Sequence, residues 1–181
     1  MKNLSYIVLL SLLVSFAASC EDDDLQPDTA LARLNREVPI TTNGADRVGC
    51  LINGEVWFNQ GGSISRPDSN GSYSSFNERI KVTGSNFNLP ERILSEKVAI
   101  SCHPLIVGSH NLSTNFAGFR RTYVDEEYLY YPLASSNNIF EITHINTIQK
   151  ILAGTFSMTV VNEDLQDTLI ITDGRFDVHY Q

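Results

Sequence analysis

The sequence predicts an all-β domain, a single antiparallel β-sandwich or small barrel of about eight strands, placed after a leader and a flexible tether. Three observations predict it. Over the last third of the chain, Phe156, Met158 and Val160 alternate with Ser157, Thr159 and Val161, and Phe176, Val178 and Tyr180 alternate with Arg175, Asp177 and His179. Period-2 alternation buries one face of a sheet and wets the other. Turn chemistry such as Asn53-Gly54 and Asp173-Gly174 separates these runs. Beyond the leader no segment carries a convincing helical stripe, the nearest being one or two turns over Leu89–Glu96.

Taken in order, residues 1–19 read as a secretory leader. Lys2 supplies a short positive start, and Tyr6–Ala17 an apolar run too short for a bilayer-spanning helix, which takes roughly 20 residues. Ala17-Ala18-Ser19-Cys20 then resembles the bacterial lipobox, whose cysteine is acylated and becomes the new N-terminus. Cys20 is therefore the expected lipidation site and the bilayer its partner, each buried CH₂ contributing about 0.8 kcal/mol. Residues 20–45 are mainly an acidic tether beginning Glu21-Asp22-Asp23-Asp24, in which Leu31, Leu34 and Val38 allow one helical turn or two.

The domain spans 46–181. Arg47–Ile52 is the first strand, and Asn53-Gly54 turns it into Glu55-Val56-Trp57-Phe58. Gly61-Gly62 and Arg66–Ser72 are turn or loop. Glu78–Asn88, Lys97–His103 and Phe119–Tyr131 are further strands, the last interrupted by Asp125-Glu126-Glu127. Ile139–Asn146, Ile151–Asn162, Thr168–Thr172 and Arg175–Tyr180 complete the set, with Asp173-Gly174 as the tight turn between the final two.

Gly49–Trp57, Gly154-Thr155-Phe156 and Thr172–Val178 resemble a family of small Bacteroidetes-type lipoproteins with a β-rich domain of unknown function. The resemblance covers the two ends of the domain and is loose through residues 60–135. It implies the β-rich fold, the lipid anchor and a Bacteroidetes-type source, and no activity or site residues. The acidic run after Cys20 resembles the signal that sends such lipoproteins to the cell surface. Asp28-Thr29-Ala30 resembles their O-glycosylation motif, making Thr29 a candidate modification site.

Composition narrows the partners. The chain has 13 Lys+Arg against 21 Asp+Glu; without Lys2 the balance is 12 to 21, a net charge of about −9. That argues against nucleic acid, whose binding neutralises phosphates, and against docking on anionic lipid. Cys50 and Cys102 fall on the apolar faces of their strands. Joined, they would close a loop of about fifty residues, worth about 4 kcal/mol in the chain-entropy model; otherwise they are buried thiols.

No motif for catalysis stands out. There is no Gly-x-Ser-x-Gly, no phosphate-cradling loop and no Cys-x-x-Cys, and His103, His110, His144 and His179 lack metal-ligand spacing. Neither a metal nor a cofactor is expected. The richest surface candidate is Phe116–Tyr131, with Phe119, Arg120, Arg121, Tyr123, Tyr128, Tyr130 and Tyr131 around the acidic triplet. Tyrosine and arginine combine contact area with a polar handle and suit stacking on sugars; aromatics covering a core are the alternative. The expectation is a non-catalytic binding or structural module of the cell envelope with a glycan or protein partner. The alternative is a carbohydrate-active accessory enzyme with unrecognised carboxylates.

Overall fold

Apolar residues that recur at every second position are hidden only by pairing strands into sheet. The computed structural model describes residues 29–61, 68–75, 79–90, 92–112 and 117–181. Cys20, the leader, the acidic run, Arg66-Pro67 and Phe116 lie outside the described residues. In chain order the elements are α1 (Ala30–Glu37), β1 (Arg47–Ile52), β2 (Glu55–Phe58), β3 (Ser69–Ser74), β4 (Arg79–Asn86), β5 (Ile93–Cys102), β6 (Gly108–Asn111), β7 (Ala117–Tyr123), β8 (Glu127–Pro132), β9 (Ile139–Asn146), β10 (Ile151–Asn162) and β11 (Asp167–His179).

Eleven strands among the described residues, and not about eight, form one sheet in the order β2-β1-β11-β10-β8-β7-β5-β4-β3, with β9 on β10 and β6 on β9. The sheet curls into an open half-barrel. Its named ladders are antiparallel, and two isolated parallel bridges, Gln60 with Asn86 and Gly71 with Tyr180, tie strands from its two ends. The core lies on the inner face, where Val48, Ile80, Ile100, Phe119, Phe140, Leu152 and Ile171 are all buried in one cluster.

The extra strands have weak local signals. β3 (SNGSYS) and β6 (GSHN) are poor in β-branched residues and exist because β4 and β9 supply a partner edge. Phe119–Tyr131 divides into β7 and β8, the Tyr123 N–H donating to the Glu126 carbonyl at 2.7 Å across the turn. Leu89–Glu96 is not helical among its described residues: β5 begins at Ile93.

Asn53-Gly54 is a hairpin turn, with φ of 51° and 83° as a type I′ turn requires. Asp173-Gly174 is not a turn. β11 continues through it, and Asp173 (φ 51°) belongs to a bulge. Between the pairs Phe156 with Gly174 and Met158 with Ile171, β11 has two residues where β10 has one. Positive φ serves a bulge as well as a turn.

The segment expected as tether carries α1. The Thr29 hydroxyl accepts from the Ala32 N–H at 3.1 Å and caps it, while Pro39 disfavours helical geometry at Val38 and ends it. Leu34 and Val38 are buried with Leu51 against β1 and β2, on the side of the sheet opposite the main core; Leu31 is exposed. The following loop is fastened by Asp177, itself buried. Its carboxylate accepts from the Thr41 hydroxyl (2.6 Å) and from the N–H groups of Asn43 (3.0 Å), Gly44 (2.8 Å) and Ala45 (3.2 Å). Arg175 adds a bond to Asn35 Oδ1 at 2.6 Å.

Two predictions follow from this docking. Leu34→Ala is expected to cost about 2–5 kcal/mol through the cavity it leaves, read as a lower denaturant midpoint with unchanged slope. Asp177→Ala removes the acceptor of three backbone N–H groups and one hydroxyl in a part-exposed loop that water can reach; at about 0.5–1.5 kcal/mol for each lost bond, a loss of about 2 kcal/mol or more is expected. Limited proteolysis of Asp177→Ala should cut first between residues 38 and 46; uncut chains would show that this carboxylate holds nothing in place.

Candidate functional site

Strand pairing divides the aromatic–arginine segment between two faces. In the β7–β8 hairpin Phe119 pairs with Tyr130 and Arg121 with Tyr128, so these side chains share the inner face with Tyr123. Phe119 and Tyr130 are buried, edge to face at 5.7 Å, and the Tyr130 hydroxyl donates to Asp167 Oδ2 at 2.9 Å. Arg121 lies over the Phe119 ring at 5.6 Å and donates to Glu96 Oε1 at 2.7 Å. Tyr123 and Tyr128 pack edge to face at 5.6 Å, with the Tyr128 hydroxyl donating to Glu126. Five of the seven candidates therefore cover the core or its rim. Arg120 and Tyr131 alone among them point outward, and Tyr131 is 53% exposed.

On that outer face the register assembles a groove of about 300 Å³. Ala99 of β5 pairs with Gly118 of β7 to make its floor, and Tyr131 stands one residue beyond the Phe119–Tyr130 pair at its end. A Cβ on Gly118 would come 2.7 Å from the Tyr130 carbonyl oxygen, so the close strand approach excludes a side chain there and keeps the floor low. One wall is Lys97 paired with Arg120; on the other side is Lys81, paired with Ser101. Burial, then the charges of Lys81 and Arg120, hold the Lys97 ammonium below its ordinary pKa. Among the described residues lining this groove there is no carboxylate.

Tyr131 also borders a second, larger groove of about 630 Å³. It opens where β10 divides its pairing. Residues from Ile151 to Ser157 pair with β9, and β8 reaches β10 only at Pro132 and Tyr131. Leu133, Val161, Asn162, Glu127, Glu163 and Asp164 line the gap. Arg120 and Glu127 form an ion pair at 3.3 Å between half-exposed side chains and separate the two grooves by charge. Tyr131 thus stands between a cation-walled groove and an acidic, partly apolar one.

The other candidates are dispersed. Cys50 and Cys102 are two free, buried thiols and not a disulfide. Burial pushes the Cys102 thiol up to about 12; burial, then the Glu96 charge, raise Cys50 as well. Neither has the depressed pKa of a nucleophile. His110 contacts the Ile106 carbonyl at 3.0 Å and His179 contacts Asp46 at 3.0 Å. Among the described residues no group of three His, Cys, Asp or Glu side chains is placed to hold a metal. Thr29 is exposed, with its hydroxyl engaged as the α1 cap. Lys81, Lys97 and Ser101 were no part of the sequence-predicted site; each is only a polar residue on the wet side of its strand until pairing brings it beside Arg120.

Comparison with protein-family models, with curated proteins and with solved structures gives no match.

The raised pKa values of Cys102 and Tyr130 imply an alkaline limit. Below the ordinary thiol value of 9.0 both folded and unfolded chains keep Cys102 protonated, and its contribution is complete. Above it the unfolded thiol ionises first, and stability falls until pH passes about 12. Tyr130, raised to about 12 by burial and its bond to Asp167, adds to the loss above 10.0. The melting temperature is expected to drop from about pH 9 upward, with a shallower slope in Cys102→Val. An unchanged slope in that variant would remove Cys102 from the account.

Proposed function

We propose that this chain is a lipid-anchored, non-catalytic binding module of the cell envelope, with a glycan as its ligand. Its binding surface is the outer face of β5, β7 and β8. The observation that carries the reading is the placement of Tyr131: an exposed ring on a rigid sheet, with cations on one side and carboxylates with Leu133 on the other. Sugars present an apolar face that stacks on such a ring, and hydroxyls that pair with flanking charged groups. Sites built on strands hold this geometry better than sites on loops.

The lipobox-like Cys20 supports anchoring at the outer membrane, and the acidic run after it supports an outward orientation. Within the all-β class we assign the curled sheet to the small barrels, on the support of the two bridges between its ends.

A thermal-shift screen against neutral and charged glycans tests the binding reading. A ligand at about 100 times its Kd adds about 2.7 kcal/mol of stability. Tyr131→Ala should melt near the parent temperature, because the ring is outside the core, yet lose the shift. Glycans that leave the parent melting curve unmoved would refute the reading, and release of new reducing ends would make the protein an enzyme.

A further inference from the structure

We infer that the groove formed by Lys81, Lys97 and Arg120 is an anion subsite, so that the glycan taken is an acidic one carrying carboxylate or sulfate groups. This rests on the proposed glycan reading and specifies its chemistry. The chain carries a net charge of −8, yet this one small groove gathers three cations and no lining carboxylate among the described residues. Lys97 and Arg120 face each other directly across β5 and β7. Like charges opposed on neighbouring strands destabilise a sheet. Among the described residues, Arg120 alone of the three has an ion-pair partner, Glu127, which sits at the edge toward the second groove.

Such a pair of charges is a cost to the free protein that a bound anion relieves. Burial first, and then the neighbouring charges of Lys81 and Arg120, hold the Lys97 ammonium below its ordinary pKa, in keeping with a site short of negative charge. Shape selects among anions. Ala99 and Gly118 make a flat floor, Ser101 offers a hydroxyl, and Tyr131 closes one end. The volume of about 300 Å³ is at the lower limit for a drug-sized ligand, the scale of a disaccharide and not of a duplex. The ring of an acidic sugar stacks on Tyr131 while its anionic group reaches Lys97 and Arg120; the hydroxyl-rich remainder extends toward Glu127, Glu163 and Asp164 in the adjoining groove.

The test is calorimetric titration of the full chain in non-ionic detergent with oligosaccharides of matched length: neutral, uronate-containing and sulfated. Either acidic series is expected to bind at least about tenfold more tightly than the neutral one, with the advantage shrinking as salt rises. The double variant Lys97→Gln/Arg120→Gln should bind the acidic and neutral series alike, losing that advantage, and Tyr131→Ala should lose binding of both series. Lys97→Gln alone should melt higher than the parent, which reads the charge repulsion without any ligand. Equal binding of neutral and acidic series, or an advantage retained by the double variant, overturns the anion subsite and leaves the glycan module standing. Absence of binding to every series overturns the module itself. Tighter binding of single-stranded DNA or of anionic phospholipid vesicles than of any oligosaccharide overturns the ligand class.

Discussion

Phe156 and Phe176 each lie across the β10–β11 ladder from a glycine, Gly174 and Gly154 respectively. A Cβ on Gly174 would sit 2.5 Å from the Phe156 ring, and one on Gly154 would sit 2.6 Å from the Phe176 ring. Each ring therefore occupies the space its partner lacks. Phe140 of β9 stacks on Phe176 with centroids 5.0 Å apart and planes 15° from parallel, which locks a third strand into the same contact. On either side of these pairs the register shifts, at the bulge around Asp173 in β11 and between Ala153 and Gly154 against β9. Glycines and bulges are the devices by which a sheet bends, and here they bracket one aromatic cluster. The curl of the whole sheet depends on it.

From that bend the rest follows. The inner face closes over a single apolar core, and the outer face of β1 and β2 is left bare until α1 covers it. Asp177 and Arg175, in the bent part of β11, hold the loop and helix in place, so the strand that shapes the core also fastens the outer layer. Forking of β10 between β8 and β9 opens the larger groove, and the continuing β5–β7–β8 sheet presents Lys97, Arg120 and Tyr131 beside it. Groove and core are two sides of the same few strands.

Much of this was legible in the sequence where alternation is clean. The ladders of β1, β9 and β10 lie within a residue or two of where their side-chain pattern puts them, and Asn53-Gly54 turns as its chemistry demands. Asp173-Gly174 misled because a positive φ suits a tight turn and a bulge alike, and only the partner strand decides. β3 and β6 have almost no intrinsic signal and are strands by pairing alone. Tyr128, Leu129, Tyr130 and Tyr131 are uniformly large, so nothing local separates the buried Tyr130 from the exposed Tyr131. The cationic groove was invisible for a related reason. Lys81, Lys97 and Arg120 come from three strands, and register alone makes them neighbours.

The central claim is that binding happens on this outer face and nowhere else. Amide chemical-shift mapping of the isotope-labelled protein, titrated with a uronate-containing oligosaccharide, tests it most directly. The account predicts shifts concentrated at Lys97, Ala99, Gly118, Arg120 and Tyr131, fading toward Glu163 and Asp164. Shifts centred instead on α1, on the β6–β9 edge or on the open ends of the half-barrel would contradict it.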